Sequence, residues 1–76
     1  MYSRAACGLC DEAREVILAV RAEAPFDYEE LLVDGRDDLE RAYGVRVPVV
    51  LVDGEERFAL HVDAPELRRA VAGPGA

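Results

Sequence analysis

The 76-residue chain has no Lys, Asn, Gln, Thr or Trp, and only one Ser and one His. Without Lys there is no Schiff-base chemistry, and a single Ser beside a single His leaves little material for a hydrolytic relay. Basic charge is also short. Nine Arg stand against sixteen acids, a formal net charge of −7, which is the wrong sign for neutralising a phosphate backbone. Nucleic acid is therefore not expected as a partner. No apolar run approaches the roughly 18 residues of a transmembrane helix, and no basic-then-apolar signal region is seen. No membrane partner is expected, and the expected address is the cytoplasm. Cysteine is scarce too: both residues lie in Cys7-Gly8-Leu9-Cys10, so no second pair exists to build a disulfide framework. What is present, 51% hydrophobic and 33% charged residues, fits one small globular domain, expected over residues 1–72 with a flexible tail at 73–76. The chemistry left to it is that of thiols.

Apolar residues at Leu9, Ala13, Val16, Ile17 and Val20 form the stripe of an amphipathic helix, predicted over 8–23 and stopped by Pro25. Residues 27–33 end in Asp34-Gly35 and read as a strand. Asp37 is expected to cap a two-turn helix, with Leu39, Ala42 and Tyr43 on one face and Gly44 as a left-handed stop. Val47-Pro48-Val49-Val50-Leu51-Val52 is the most apolar stretch and reads as a buried strand opening on proline. Asp53-Gly54 is a two-residue hairpin turn that returns the chain as an edge strand over 55–60. Asp63-Ala64-Pro65-Glu66 reads as a capping box that starts a last helix through Leu67, Ala70 and Val71. A parallel sheet needs a strand ahead of the cysteines, and only Met1-Tyr2-Ser3 is there to supply it.

A Cys-x-x-Cys pair at a helix N-terminus sets its first sulfur beside unpaired N–H groups and the positive dipole end, which favour thiolate over thiol. Cys7 is that sulfur. Cys10, nearly one turn on, is placed to attack a mixed disulfide formed at Cys7 and release a reduced substrate. Arg4 is a candidate helper, while Asp11 and Glu12 oppose negative charge on the sulfur. A purely structural bridge closing four residues would stabilise little. A metal needs about four ligands, and the chain offers two thiols and the distant His61. Two alternatives stay open beside dithiol redox chemistry: a metal or iron-sulfur cluster shared across a dimer, and inert thiols in a protein-binding module. His61 reads as a surface residue at the end of the edge strand, and Tyr2, Tyr28 and Tyr43 as packing residues whose spacing fits no shared face.

The element order, the Cys7-Gly8-Leu9-Cys10 motif and Val47-Pro48 together resemble the thioredoxin fold, and within it glutaredoxin-like proteins. The stretch from Tyr2 to Ala13 is similar to a small bacterial branch with Tyr-Ser-Arg-x-x-Cys-x-Leu-Cys. The resemblance implies an α/β/α sandwich with a mixed sheet and helices on both faces. Related members carry several apolar residues before Tyr-Ser-Arg, so the first strand is expected to be truncated, with the true start upstream of Met1. It also implies a thiol-disulfide oxidoreductase with Cys7 as nucleophile and Cys10 as resolving thiol. Pro48 would be a cis-proline against the pair, and Val47 would offer its backbone to an extended substrate. Asp63 matches an acid that caps the last helix and helps to hold glutathione in members that use it, and Arg46 is a candidate partner for an acidic substrate. A proline opening a central strand is itself expected only where pairing is irregular. The chain departs from the family in having Gly8-Leu9 between the cysteines, Ala6 before them, and Leu60-His61 where glutaredoxins often have a glycine pair. No cofactor is expected beyond the redox-active disulfide. The expected partners are a disulfide-containing protein or small thiol, with a reductase or glutathione as electron donor and the protein a monomer. Glutathione is disfavoured, because Leu60 and His61 add bulk and remove permissive backbone conformations, and because the acidic balance repels an anionic ligand.

Overall fold

A computed structural model describes residues 1–72, so the expected tail at 73–76 lies outside the described residues. The elements follow in the order β1 (Tyr2–Ser3), α1 (Gly8–Glu23), β2 (Leu31–Leu32), α2 (Asp37–Tyr43), β3 (Val49–Val52), β4 (Glu55–Ala59) and α3 (Ala64–Ala72). The four strands form one mixed sheet in the order β2-β1-β3-β4. β1 runs parallel to β2, with Tyr2 opposite Leu31, and antiparallel to β3, with Tyr2 opposite Val49. α1 covers the predicted span and buries Ala13, Ile17 and Val20 from the predicted stripe, because a 3.6-residue period repeats those side chains on one face.

Alternation along the strands divides the interior in two. Ile17 and Val20 of α1, Val50 of β3 and Leu67 of α3 pack together on one face, flanked by Phe26, Phe58 and Val71. On the other, Val33 and Val47 pack with Leu39 and Tyr43 of α2, and Cys10 joins them from the start of α1. Tyr2 stacks on Tyr43, ring centroids 4.3 Å apart and planes within 12°, so two tyrosines expected to share no face do share one. Residues 41 positions apart were brought together by the sheet, which sequence spacing does not encode.

Three local expectations are corrected. The second strand is two residues long where seven were predicted, since a ladder reaches only as far as its partner and β1 is itself two residues; flanking bonds from Leu31 N to Met1 O and Val33 N to Ser3 O bracket it. The α2 cap falls on Arg36, without a side-chain bond, and Asp37 is the first helical residue. Gly44 is right-handed (φ −51°, ψ −38°) and not a left-handed stop; a Cβ there would lie 2.5 Å from Glu40 O and 3.0 Å from Arg4 Nη2, so it is close approach that requires glycine. The hairpin agrees with the reading: Asp53 (φ 51°) and Gly54 (φ 82°) are both left-handed, as a two-residue turn matched to strand twist demands. Opposite β3, β4 carries one extra residue at Arg57, since Val50 faces Phe58 and Leu51 faces Glu56. Asp63 Oδ2 accepts the Glu66 amide at 3.0 Å, half of the capping box; the Glu66 carboxylate turns instead to Arg69.

A polar knot ties β1, α1 and the approach to β2. Glu30 accepts from Arg14 Nε (2.8 Å) and Nη2 (2.6 Å), from the Ser3 hydroxyl (2.7 Å) and from the Tyr28 hydroxyl (3.0 Å). Ser3 is fully buried, and this bond satisfies it. The Arg14 guanidinium, helped by the two hydroxyls, holds the Glu30 carboxyl down to about 2 against the pull of burial. Burial and the Glu30 bond push the Tyr28 phenol up to about 12.

Candidate redox site

The cysteines sit where β1 hands over to α1. Cys7 is the N-cap, with extended backbone (φ −117°, ψ 110°), and its Sγ accepts the Cys10 amide at 3.1 Å. The sulfur thus takes the place a Ser or Asp oxygen has at an ordinary cap, and a helix amide aimed at it stabilises negative charge there. The two sulfurs are paired as a disulfide, with Cα atoms 5.2 Å apart. They differ in access. Cys7 is half-buried, whereas Cys10 is 0% exposed.

The turn before Cys7 is held from outside itself. Ala6 has φ +53°, a left-handed conformation that costs a non-glycine residue about 1–2 kcal/mol. The Ala5 amide donates to Asp34 Oδ2 at 2.8 Å. Arg4 lies 3.5 Å from Asp34 Oδ1, donates to Gly44 O at 3.0 Å, and pairs with Glu40 Oε1 at 2.6 Å in an alignment short of a hydrogen bond. The guanidinium named as a thiolate helper is therefore spent on two carboxylates and a carbonyl of α2 and its approach.

Val47 packs against Cys10, and Pro48 is buried beside it; their peptide bond is cis. Among the described residues, neither the N–H nor the C=O of Val47 has a hydrogen-bond partner, while its neighbours are tied down, Arg46 N to Tyr43 O at 2.8 Å and Pro48 O to Leu60 N at 2.8 Å. Arg46 does not stand free for a substrate: Nη1 pairs with Glu56, Nη2 donates to Ala42 O at 2.8 Å, and the guanidinium lies 5.7 Å over the Tyr43 ring. Asp63 is exposed and caps α3. His61 is exposed at the end of β4.

Leu60 departs from the expectation that a leucine removes the permissive backbone of a glycine pair. It adopts φ +73° and stays 43% exposed, its amide shared between Arg46 O (3.2 Å) and Pro48 O (2.8 Å). The glycine-like conformation is kept, and only the side-chain bulk is new. Asp34 is the residue that sequence reasoning missed. Beside Gly35 it carried only a turn signal, and nothing local could reveal a bond to an amide 29 residues away. Among the described residues, no cluster of three or more His, Cys, Asp or Glu is placed to hold a metal ion, and no helix is long and apolar enough to cross a membrane. A cavity of ≈ 410 Å³ lined by Met1, Ile17, Phe26, Val52, Leu67 and Val71 lies at the other end of β1 and touches neither cysteine.

Residues 1–72 match the profile of the family described as Glutaredoxin-like domain (DUF836). The chain is similar to Uncharacterized protein Rv0508 of Mycobacterium tuberculosis and Uncharacterized protein Mb0520 of Mycobacterium bovis, each 34% identical over 77 residues that span 95% of this chain and 79% of the relative. It is also similar to the structural-genomics target protein XcR50 from X. campestris. The X-ray structure of XcR50 superposes with a TM-score of 0.79 at 35% identity, covering 96% of this chain and 95% of that one; its solution structure gives 0.76 at 36%, covering 97% and 92%.

Proposed function

The chain belongs to the Glutaredoxin-like domain family, and from that membership we propose that it is a thiol-disulfide oxidoreductase working through Cys7 and Cys10. The observation that carries this reading is the asymmetry of the pair: an accessible sulfur at a helix cap that accepts an amide, and a second sulfur wholly buried one turn on. In the reduced protein the Cys7 thiolate attacks a substrate disulfide, forming a Cys7–substrate bond and expelling one substrate thiolate. Cys10, deprotonated, then attacks the Cys7 sulfur, closes the Cys7–Cys10 disulfide and releases the second thiolate. Two electrons pass from protein to substrate, and a dithiol reductant returns them. No other cofactor enters.

Val47 serves the substrate chain with its unengaged N–H and C=O, beside the buried Pro48. Arg4 and Arg46 act from behind, Arg4 by holding the turn before Cys7 and Arg46 by fixing the loop before Val47. Asp63 is occupied as a cap, and we assign it no ligand. The reading places the protein in a reducing cytoplasm as a monomer, with a disulfide-containing protein or small thiol as substrate. A reductase suits it better than glutathione, whose net negative charge meets the acidic surface and whose approach at the end of β4 meets Leu60.

Alkylation of the reduced protein below neutral pH, read by mass spectrometry, tests this. Cys7 should react about a hundredfold faster than Cys10, in line with the spread between accessible thiolates and buried thiols, and Cys7→Ser should abolish reduction of bis(2-hydroxyethyl) disulfide. Slow and equal alkylation of both cysteines defeats the reading. A glutathione-coupled assay that outpaces a thioredoxin-reductase-coupled one would overturn the choice of donor.

A further inference from the structure

Large apolar side chains crowd the cysteine end without being buried. Leu9, between the two cysteines, is 37% exposed, Leu60 is 43% exposed, and Val45, in the turn between α2 and Val47-Pro48, is 94% exposed. They belong to one neighbourhood, since Val47 packs on Cys10 and the Leu60 amide bonds the carbonyls of Arg46 and Pro48 on either side of Val47. Single exposed apolar residues need no explanation, but a set carried by the three segments that adjoin the cysteine pair marks a contact surface. Ala5, Ala6 and Gly8, all exposed, leave room for another backbone beside Cys7.

The charges around this rim have one sign left over. Arg4 is shared by Asp34 and Glu40, and Arg14 by Asp11 and Glu30, one guanidinium against two carboxylates in each case. Arg46 is matched by Glu56. Glu12, exposed just after the first turn of α1, has no ion-pair partner among the described residues. Among the described residues, the arginines that tie down the segments around the disulfide, Arg4, Arg14 and Arg46, are all engaged by carboxylates, so an approaching anion meets surplus negative charge there and an approaching cation is drawn in.

We propose that the cysteine end docks a polypeptide segment in which apolar and basic side chains flank the substrate disulfide, and that it discriminates against anionic disulfides. This rests on the oxidoreductase reading and adds the class of substrate. The flanking apolar groups cover Leu9, Val45 and Leu60, the segment's backbone meets Val47, and its Arg or Lys residues face Glu12 and Asp11. Thiol exchange then runs as above, with the two electrons supplied by the reduced Cys7/Cys10 pair.

The test uses pre-reduced protein, freed of reductant, in single turnovers against three disulfides: a cystine-bridged peptide with Leu and Arg beside the bridge, the same peptide with Ser and Glu there, and bis(2-hydroxyethyl) disulfide. At low salt the Leu/Arg peptide should be reduced about tenfold or more faster than the Ser/Glu peptide, as expected of electrostatic steering towards a surface of opposite sign. The gap should narrow at 1 M salt, where the screening length falls to about 3 Å. Glu12→Arg should shrink it at low salt, and Val45→Ser should slow the Leu/Arg peptide. Equal rates for the two peptides, or a faster Ser/Glu peptide, overturn the proposal while reduction of bis(2-hydroxyethyl) disulfide keeps the oxidoreductase reading intact. If none of the three is reduced, both fall.

Discussion

Left-handed backbone occurs in two kinds of place in this molecule. At the β3–β4 hairpin and the turn after β2 it falls on Asp53, Gly54 and Gly35, residue types that enter that region at little cost. At the cysteine end it falls on Ala6, directly before Cys7, and on Leu60, bonded to the carbonyls flanking Val47. Neither residue chooses that conformation locally. Ala6 is held because Ala5 and Arg4 on its N-terminal side are bound to Asp34, Glu40 and Gly44, and Leu60 because one amide serves two carbonyls. The hairpin is thus shaped by its own residues, whereas the redox end is shaped by distant ones, and unfavourable backbone gathers where the proposed chemistry is.

The comparison can be broken most forcefully behind the redox end. Glu30→Gln removes the charge that four donors converge on and leaves Arg14 poorly matched, which should lower stability by about 2–3 kcal/mol at pH 7, the range for bonds to a charged group. The effect has a pH signature. Glu30 is held at about 2 in the folded chain against 4.5 as its ordinary value, so its contribution is complete above about pH 4.5 and is lost as the pH falls towards 2. Urea denaturation at pH 7 and pH 2.5 should show the gap between wild type and variant closing; a constant gap would mean that shape, not charge, is what Glu30 supplies.

Asp34→Ala comes next. It frees the Ala5 amide and removes one of the three Arg4 contacts at an exposed site, for a loss of about 1–1.5 kcal/mol, and it should change the alkylation rate of Cys7 in the reduced protein. If stability falls and that rate does not move, Asp34 is only a turn residue. Gly54→Ala forces a Cβ into the hairpin at φ 82° and should destabilise by about 1 kcal/mol in thermal unfolding, with no effect on either cysteine. The smallest effect has the opposite sign. Ala6→Gly removes the left-handed penalty next to Cys7 and should raise stability by about 0.5 kcal/mol, the relief being partly offset by greater freedom in the unfolded chain. A loss on Ala6→Gly would show that the turn before Cys7 carries no strain.

Much of this arrangement could be read along the chain. The span of α1, the Asp53-Gly54 turn, the cap at Asp63 and the pairing of Cys7 with Cys10 all depend on residues within about one turn or one hairpin of each other. The errors share the opposite character. Gly44 looked like a stop and is a point of close packing against Arg4, 40 residues earlier; Arg46 looked available and is paired with Glu56 on a later strand; Tyr2 and Tyr43 looked unrelated and are stacked.

By itself, then, the sequence determined a small α/β domain of the glutaredoxin-like kind with one dithiol at a helix start, because periodicity, turn chemistry and capping are short-range and each leaves its mark in adjacent residues. Only the tertiary structure decided which sulfur is reachable, which arginines are already engaged and what surrounds the pair. Those are matters of burial and of contact between β1, α2 and β4, elements that are not neighbours along the chain, and the sheet order β2-β1-β3-β4 that brings them together is a property of the whole chain.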